Sequence, residues 1–339
     1  MSLKPVLARL GRGELLNAVE AEAAFGIVLD GQATPAQIGG MLMAMRARGE
    51  TVDELAGAVA AMRARMIRVA APENAIDVCG TGGDGAASLN ISTAFTFVVA
   101  ACGVPVAKHG NKAISSRAGG ADVLAALNVN IEPPMERLSE ILRQAGCVFL
   151  FAPRHHAGLR HAAQVRVELG TRTIFNLTGP MANPAFVKRQ LMGVYDPVWL
   201  RPVAETLAKL GAESAWVVHG GGLDELVLDG ENHVASLRQG EIREFTLCAV
   251  DAGLPTVPLA ALQGGDAAEN AAALLDVLQG ARNGYRDTIL FNAAAALMVA
   301  GAVGDLREGV ARAAQALDSG AALRVLETLR AASQEVSLA

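Results

Sequence analysis

Aromatic side chains are scarce: Phe, Tyr and Trp together make up 4% of the 339 residues. The basic surplus of a nucleic-acid surface is missing, since 29 Lys and Arg stand against 34 Asp and Glu, a net charge of −5. Long apolar runs are missing too. The longest, such as 293–303, fall well short of the ~20 residues that a membrane span requires, and the first ten residues hold no long apolar stretch. Cys79, Cys102, Cys147 and Cys248 lie far apart without a C-x-x-C pair, which predicts buried thiols rather than a zinc site or disulfides. These absences predict a cytoplasmic globular protein with neither nucleic-acid nor membrane partners. What is abundant is apolar: 52% of the residues, with 36 glycines, in a chain long enough for two domains.

The glycines concentrate in the stretch that organises the chain, residues 77–122. The short apolar run 75–79, with its β-branched residues, suits a buried strand, and GTGGDG at 80–85 follows it directly. Glycines there permit positive φ and let successive backbone N–H groups converge on an anion, so a phosphate is the expected ligand. Asn90, Ser92 and Thr93 are cap residues, and they open an apolar helix over 94–102 that Gly103 closes. A second strand, 104–107, runs into Lys108-His109-Gly110-Asn111-Lys112, and Ser115 to Gly120 leads to a further helix. Two donor-rich loops thus sit at predicted strand C-termini, where open α/β sheets bind ligands. The spacing matches neither a P-loop nor the dinucleotide fingerprint.

Before this stretch the pattern is helical. Thr34-Pro35-Ala36-Gln37 and Thr51-Val52-Asp53-Glu54 are capping boxes, and Val52, Leu55, Val59, Met62 and Met66 share one face as core or subunit interface. After Pro72, strands and helices alternate, which predicts parallel strands. A helix is expected over 134–145, a strand at 147–151, a helix over 158–169 and irregular chain at 175–180. Strands follow at 190–195 and 214–218, then a hairpin of 234–237 with 241–245, and three or four Ala-rich helices from 266 onward. The glycine-rich loop at 220–225 carries Asp224-Glu225, hard oxygen ligands of the kind magnesium takes together with substrate phosphates. His155, His156 and His161 are too loosely patterned for a metal site and read as ordinary hydrogen-bonding histidines.

Taken together, GTGGDG at 80–85, NIST at 90–93, KHGNKAISS at 108–116, ADVLAALNV at 121–129, VRVELGTRTIFNLTGPMANPA at 165–185, GLDEL at 222–226 and GGDAAENAAALLDVL at 264–278 resemble the anthranilate phosphoribosyltransferase family, in its order and over practically the whole chain. The resemblance implies an α/β fold: a small all-helical domain from 1–70 and 157–183, and a larger α/β domain from 71–156 and 184–339 with a central, mostly parallel sheet flanked by helices. It implies transfer of a phosphoribosyl group from 5-phosphoribosyl 1-diphosphate to the amine of anthranilate, in tryptophan biosynthesis, by a homodimer that uses Mg2+. Gly80, Gly83, Asp84, Ser88, Asn90, Ile91, Ser92 and Thr93 would hold the phosphoribosyl diphosphate. So would Lys108, His109, Gly110, Asn111, Lys112, Ala113, Ile114, Ser115, Ser116 and Gly120. Gly80, Asn111 and Arg166 would meet anthranilate, and Ser92, Asp224 and Glu225 the metal. His109 is the candidate proton acceptor, or orients the amine. Lys112 and Gly120 depart from the family's usual Arg and Ser. A pyrimidine nucleoside phosphorylase and a non-catalytic nucleic-acid-binding relative are the alternatives; the acidic pair and Arg166 speak against the first, the acidic balance against the second.

Overall fold

The chain opens with four helices, α1 (Lys4–Leu10), α2 (Ala18–Leu29), α3 (Pro35–Arg48) and α4 (Val52–Arg65), and capping chemistry sets out the last three. Asn17, Thr34 and Thr51 each accept the N–H of the residue three positions on, while Glu20, Gln37 and Glu54 reach back, so all three boxes close. Glu54 does more. Fully buried, it pairs with Arg48 at 2.6 Å and takes the Leu16 N–H at 3.1 Å, tying three segments with one carboxylate. The computed structural model describes residues 2–83, 85, 87–112 and 117–335.

Beyond these helices comes the alternation: β1 (Ile76–Gly80), α5 (Ile91–Ala101), β2 (Val106–Gly110), α6 (Gly120–Ala126), α7 (Leu138–Ala145) and β3 (Cys147–Phe151). The chain then leaves the sheet through α8 (Ala152–His155), α9 (Arg160–Leu169) and α10 (Phe175–Met181). It returns as β4 (Arg189–Gly193), α11 (Leu200–Lys209), β5 (Ser214–Gly220), β6 (Asn232–Arg238) and β7 (Glu241–Leu247), and ends in α12 (Ala267–Leu278), α13 (Gly284–Val299), α14 (Leu306–Asp318) and α15 (Ala321–Gln334). The sheet order is β3-β2-β1-β4-β5-β6-β7, with β1 to β5 parallel and the β6–β7 hairpin antiparallel. The chain winds outward from β1 in one direction and then from β4 in the other. The crevice above the C-terminal ends of β1 and β4 is therefore the topological switch point.

Two apolar clusters flank the sheet. One gathers α5, α7 and the C-terminal helices against residues such as Val78, Val106 and Leu150. The other joins the N-terminal helices, α9, α10 and α11 to the opposite side of β4, β5 and β6, through Met192, Val217 and Ala235. Leu55, Val59 and Met62 are buried in this second cluster, so that face of α4 is core. Where the chain passes between the layers its segments lie side by side: the Ile67 N–H bonds the His155 carbonyl at 3.1 Å and the Val69 N–H the Pro184 carbonyl at 3.1 Å.

Two expectations need correcting. The second strand does not stop at residue 107 but carries Lys108 and His109 inside it as buried positions of β2. Polar side chains broke the apolar pattern there, yet both find partners in the interior. Residues 175–180 are not irregular but belong to α10, with Pro180 inside it. A proline so near the C-terminal end removes only one helical hydrogen bond, and Asn176 secures the entry by accepting the Thr173 N–H at 3.0 Å.

Candidate active site

At the switch point β1 and β4 both end in glycine, and the reason is steric. A Cβ on Gly193 would lie 1.5 Å from the Asp224 carbonyl oxygen, and one on Gly80 would lie 2.0 Å from Asp224 Oδ2. The acidic loop after β5 therefore rests directly on the strand ends. Its carboxylates take up backbone donors of the two phosphate-type elements. Asp224 Oδ2 accepts the Gly82 N–H at 2.7 Å, and Glu225 Oε1 accepts the Ser92 N–H at 3.0 Å in the first turn of α5. Asn90 does not cap that helix, contrary to expectation. Its side chain donates to the Ala118 carbonyl at 3.2 Å and accepts from Asn270 at 2.9 Å, holding the exits of both loops together.

The acidic loop is itself clamped from behind. Asn292 of α13 accepts the Leu226 N–H at 3.0 Å and donates to the Leu226 carbonyl at 2.8 Å, and Asn232 of β6 accepts the Val227 N–H at 2.7 Å. Sequence reading passed over both. A signal existed for Asn292, a poor helix former in the middle of an apolar helix. Burial, and after it the adjacent Asp224 carboxylate, push Glu225 up to about 8, with Lys108 and the Ser92 N–H pulling the other way.

Lys108 is buried on β2, and its ammonium donates to the Val78 carbonyl at 2.5 Å and to Ser92 Oγ at 3.1 Å. That places a fixed cation beside the acidic pair. Beneath it Asp77 Oδ1 accepts the His109 N–H at 3.0 Å, and Asp77 Oδ2 accepts from the Cys79 thiol at 3.3 Å. Burial raises the Asp77 pKa, opposed by Asn183, Lys108 and the His109 N–H. Asp122 turns back on the N-terminus of α6, accepting the Gly119 N–H at 2.9 Å. Asp77 and Asp122 are thus occupied with backbone donors.

His109 and His156 face each other with ring centroids 5.1 Å apart. Both are buried. Desolvation drives His109 well below the usual histidine range and His156 down to about 4, each lowered further by neighbouring imidazoles. His109 hydrogen-bonds the Gly179 backbone, its Nε2 is unpartnered, and neither ring nitrogen of His156 has a well-formed bond. His155 behaves as an ordinary histidine, with Nδ1 2.9 Å from the Ile67 carbonyl; His156 does not, and that expectation is corrected.

The other predicted positions divide. Thr93 is buried, its Oγ1 3.0 Å from where a Gly120 Cβ would stand, so glycine relieves a tight contact there. Gly110 admits the Phe149 ring, 2.6 Å from a hypothetical Cβ. Ile91 is buried and gives its N–H to the Leu89 carbonyl at 2.9 Å. Ser88 bridges to Gln263 through its main chain. Asn111 and Lys112 are exposed, the lysine ammonium 5.9 Å from the Phe151 ring centre. Gly83 is described with positive φ. Asp84, Ala113, Ile114, Ser115 and Ser116 lie outside the described residues. Arg166 stands apart from β1 and β2, half-buried on α9, its guanidinium 5.6 Å from the Phe175 ring centre and its pKa lowered by burial. Among the described residues it makes no ion pair.

Known proteins resemble this chain over nearly its whole length. The family profile described as "Glycosyl transferase family, a/b domain" matches residues 72–323, and "Glycosyl transferase family, helical bundle domain" matches 4–66. The anthranilate phosphoribosyltransferase of Brucella suis is 55% identical over 333 residues, 98% of each chain. The chain belongs to the anthranilate phosphoribosyltransferase family. Its activity is that of a phosphoribosyltransferase, a pentosyl transferase with anthranilate as acceptor. The crystal structure of anthranilate phosphoribosyltransferase from Thermus thermophilus superposes with a TM-score of 0.93 at 42% identity, covering 97% of this chain and 99% of that one. The Saccharomyces cerevisiae enzyme in complex with PRPP and Mg superposes with a TM-score of 0.90 at 26% identity, covering 98% of this chain and 97% of that one. The phosphorylase and nucleic-acid-binding alternatives are not favoured by these relatives. Among the described residues no helix is long and apolar enough to cross a membrane.

Proposed function

We propose that the switch-point crevice between β1, β4 and the acidic loop holds 5-phosphoribosyl 1-diphosphate with Mg2+, and that anthranilate enters from the side of α9 and α10. The observation that carries this reading is the convergence of Asp224, Glu225, Ser92 and Lys108 on the N-terminus of α5 and the first glycine loop. Two adjacent carboxylates and a hydroxyl are hard oxygen donors, and their mutual repulsion favours a divalent ion. An ion held there would take its remaining ligands from substrate phosphates and water. Bound there, Mg2+ would neutralise charge on the departing pyrophosphate.

The chain's own part is electrostatic and positional. Lys108 and the α5 N-terminus present fixed positive charge where the leaving group gains negative charge, so no reorganisation is needed at the moment of bond breaking. Gly80, Gly83, Asp84, Ser88, Asn90, Ile91, Thr93, His109, Gly110, Asn111, Lys112, Ala113, Ile114, Ser115, Ser116 and Gly120 complete the phosphoribosyl diphosphate site in this proposal. An aniline nitrogen is neutral at pH 7, so its attack on C1 of the ribose needs no strong base. His109, held neutral by burial, presents Nε2 as an acceptor that orients the amine. Arg166, with Asn111 and Gly80, pairs with the anthranilate carboxylate. The helical unit of residues 1–70 and 157–183 and the α/β unit of 71–156 and 184–339 meet at this crevice, and the helical unit forms a homodimer. The enzyme works in the cytoplasm, in tryptophan biosynthesis. The test is loss of anthranilate fluorescence with phosphoribosyl diphosphate and magnesium. We expect chelation, or Asp224→Asn combined with Glu225→Gln, to abolish turnover while the melting temperature hardly moves. Near-normal turnover in the double variant at physiological magnesium would remove the pair from the site.

A further inference from the structure

The segment between α9 and α10 sends one side chain across to the phosphate side of the crevice. Arg172 follows the left-handed turn at Gly170, and its Nη2 donates to the carbonyl of Gly83 in the first glycine loop. The same guanidinium lies over the ring of Tyr195, 3.9 Å from its centre. Tyr195 in turn is tied to that loop, for its N–H donates to Thr81 Oγ1 at 3.1 Å, while the Thr81 N–H donates to the Gly193 carbonyl at 3.0 Å. The stack therefore runs from the α9–α10 segment through Tyr195 to both ends of the Thr81–Gly83 run, and Arg172 is the only one of its members that belongs to the helical layer.

Three physical features single this contact out. Gly82 and Gly83 both have positive φ, a conformation that glycine reaches at no steric cost and leaves as easily, so the loop needs an external hold to keep one shape. A cation donating to a carbonyl fixes the peptide plane to which that carbonyl belongs, and with it the direction of the neighbouring donor. The guanidinium of Arg172 meets both the Gly83 carbonyl and the Tyr195 ring, so one side chain bridges the loop and the residues that follow β4 in the crevice.

We propose that Arg172 is a positioning residue, which locks the Thr81–Gly83 run in its diphosphate-binding shape and makes that shape depend on the helical layer lying against the crevice. This rests on the reading that the crevice binds phosphoribosyl diphosphate. Arg172 does not touch the acceptor in this account. Its loss therefore weakens the phosphorylated substrate selectively.

The experiment compares Arg172→Ala, Arg172→Lys and Tyr195→Leu with the wild type. For Arg172→Ala, the KM for phosphoribosyl diphosphate should rise at least tenfold, whereas the KM for anthranilate at saturating phosphoribosyl diphosphate should change less than twofold. Lysine keeps the charge and one donor but not the planar fork, so it should recover part of the loss. Tyr195→Leu removes the surface on which the guanidinium rests and should shift the same constant in the same direction. Calorimetric titration with magnesium pyrophosphate separates this proposal from the acceptor assignment: weaker binding by Arg172→Ala supports the lock even if wild-type protein leaves anthranilate untouched. An unchanged constant for the diphosphate in both Arg172→Ala and Tyr195→Leu would overturn it, as would equal rises for both substrates. If Arg172→Ala does not fold, the lysine and leucine variants decide by the same criteria.

Discussion

Arg166 shows how little a residue type says about its use. On the sequence it is one arginine on a helix; in the fold it is half-buried, its pKa lowered by desolvation, and without an acidic partner among the described residues. Holding an unneutralised guanidinium partly out of water is costly unless an anion arrives. Arg166→Ala should therefore raise the KM for anthranilate at least tenfold, because a charge-assisted hydrogen bond is worth roughly 1.5–3 kcal/mol. The constant for phosphoribosyl diphosphate should stay within about twofold. Equal, small changes in both would place the carboxylate elsewhere. His156 supports a prediction of a different kind. Its folded pKa, about 4, lies below the ordinary histidine value. Between that value and about 6.5 the unfolded chain binds the proton and the native one does not, so stability should fall as pH drops through this window. The full contribution is roughly 3 kcal/mol. Urea midpoints at pH 7 and pH 4.5 measure it, and His156→Gln should flatten the difference; an unaltered slope would assign the acid sensitivity to other groups.

At the scale of elements, the acidic loop and the strand ends form one construction. GTGGDG read as a phosphate loop whose glycines permit positive φ, and Gly82 and Gly83 adopt it. Gly80 and Gly193 have another cause. They are glycine because another segment lies on top of them, which only the register of β1, β4 and β5 could reveal. Gly193→Ala must displace the Asp224 main chain. We expect it to cost about 1–3 kcal/mol through overpacking and to reduce kcat at least tenfold by moving both carboxylates. Activity close to the wild type in this variant would show that the loop tolerates displacement. The strand β2 teaches the converse lesson. Lys108 and His109 looked like the start of a loop because strands were read from apolar runs. The interior receives Lys108 because Val78 and Ser92 accept from its ammonium, and His109 because its ring stays neutral and meets the Gly179 backbone.

On the scale of the molecule, the apolar face of Leu55, Val59 and Met62, expected as core or subunit interface, is spent inside the chain, in the cluster that joins the helices to one side of the sheet. The surface that remains is different. Leu15, Val19 and Met43 are 56%, 76% and 37% exposed on the helical layer. If that layer carries the homodimer, light scattering at micromolar concentration should report twice the chain mass, and Val19→Asp with Met43→Asp should halve it. A wild-type monomer would refute the assembly.

Local chemistry decided much of this protein before any folding was considered. Cap residues placed α2, α3 and α4 through i to i+3 hydrogen bonds, and alternation of apolar runs placed most of the sheet. The motifs at 80–85, 90–93, 108–116 and 222–226 carried the family. Contacts between distant residues were beyond reach. That Glu225 meets the first turn of α5, that Asn292 holds the acidic loop, and that Arg172 spans the crevice depend on the tertiary packing, in which β4 enters beside β1 only after a long excursion through the helical layer. A hydrogen bond between residues more than 60 positions apart leaves no periodicity in the chain, and only the packed sheet brings its two ends together.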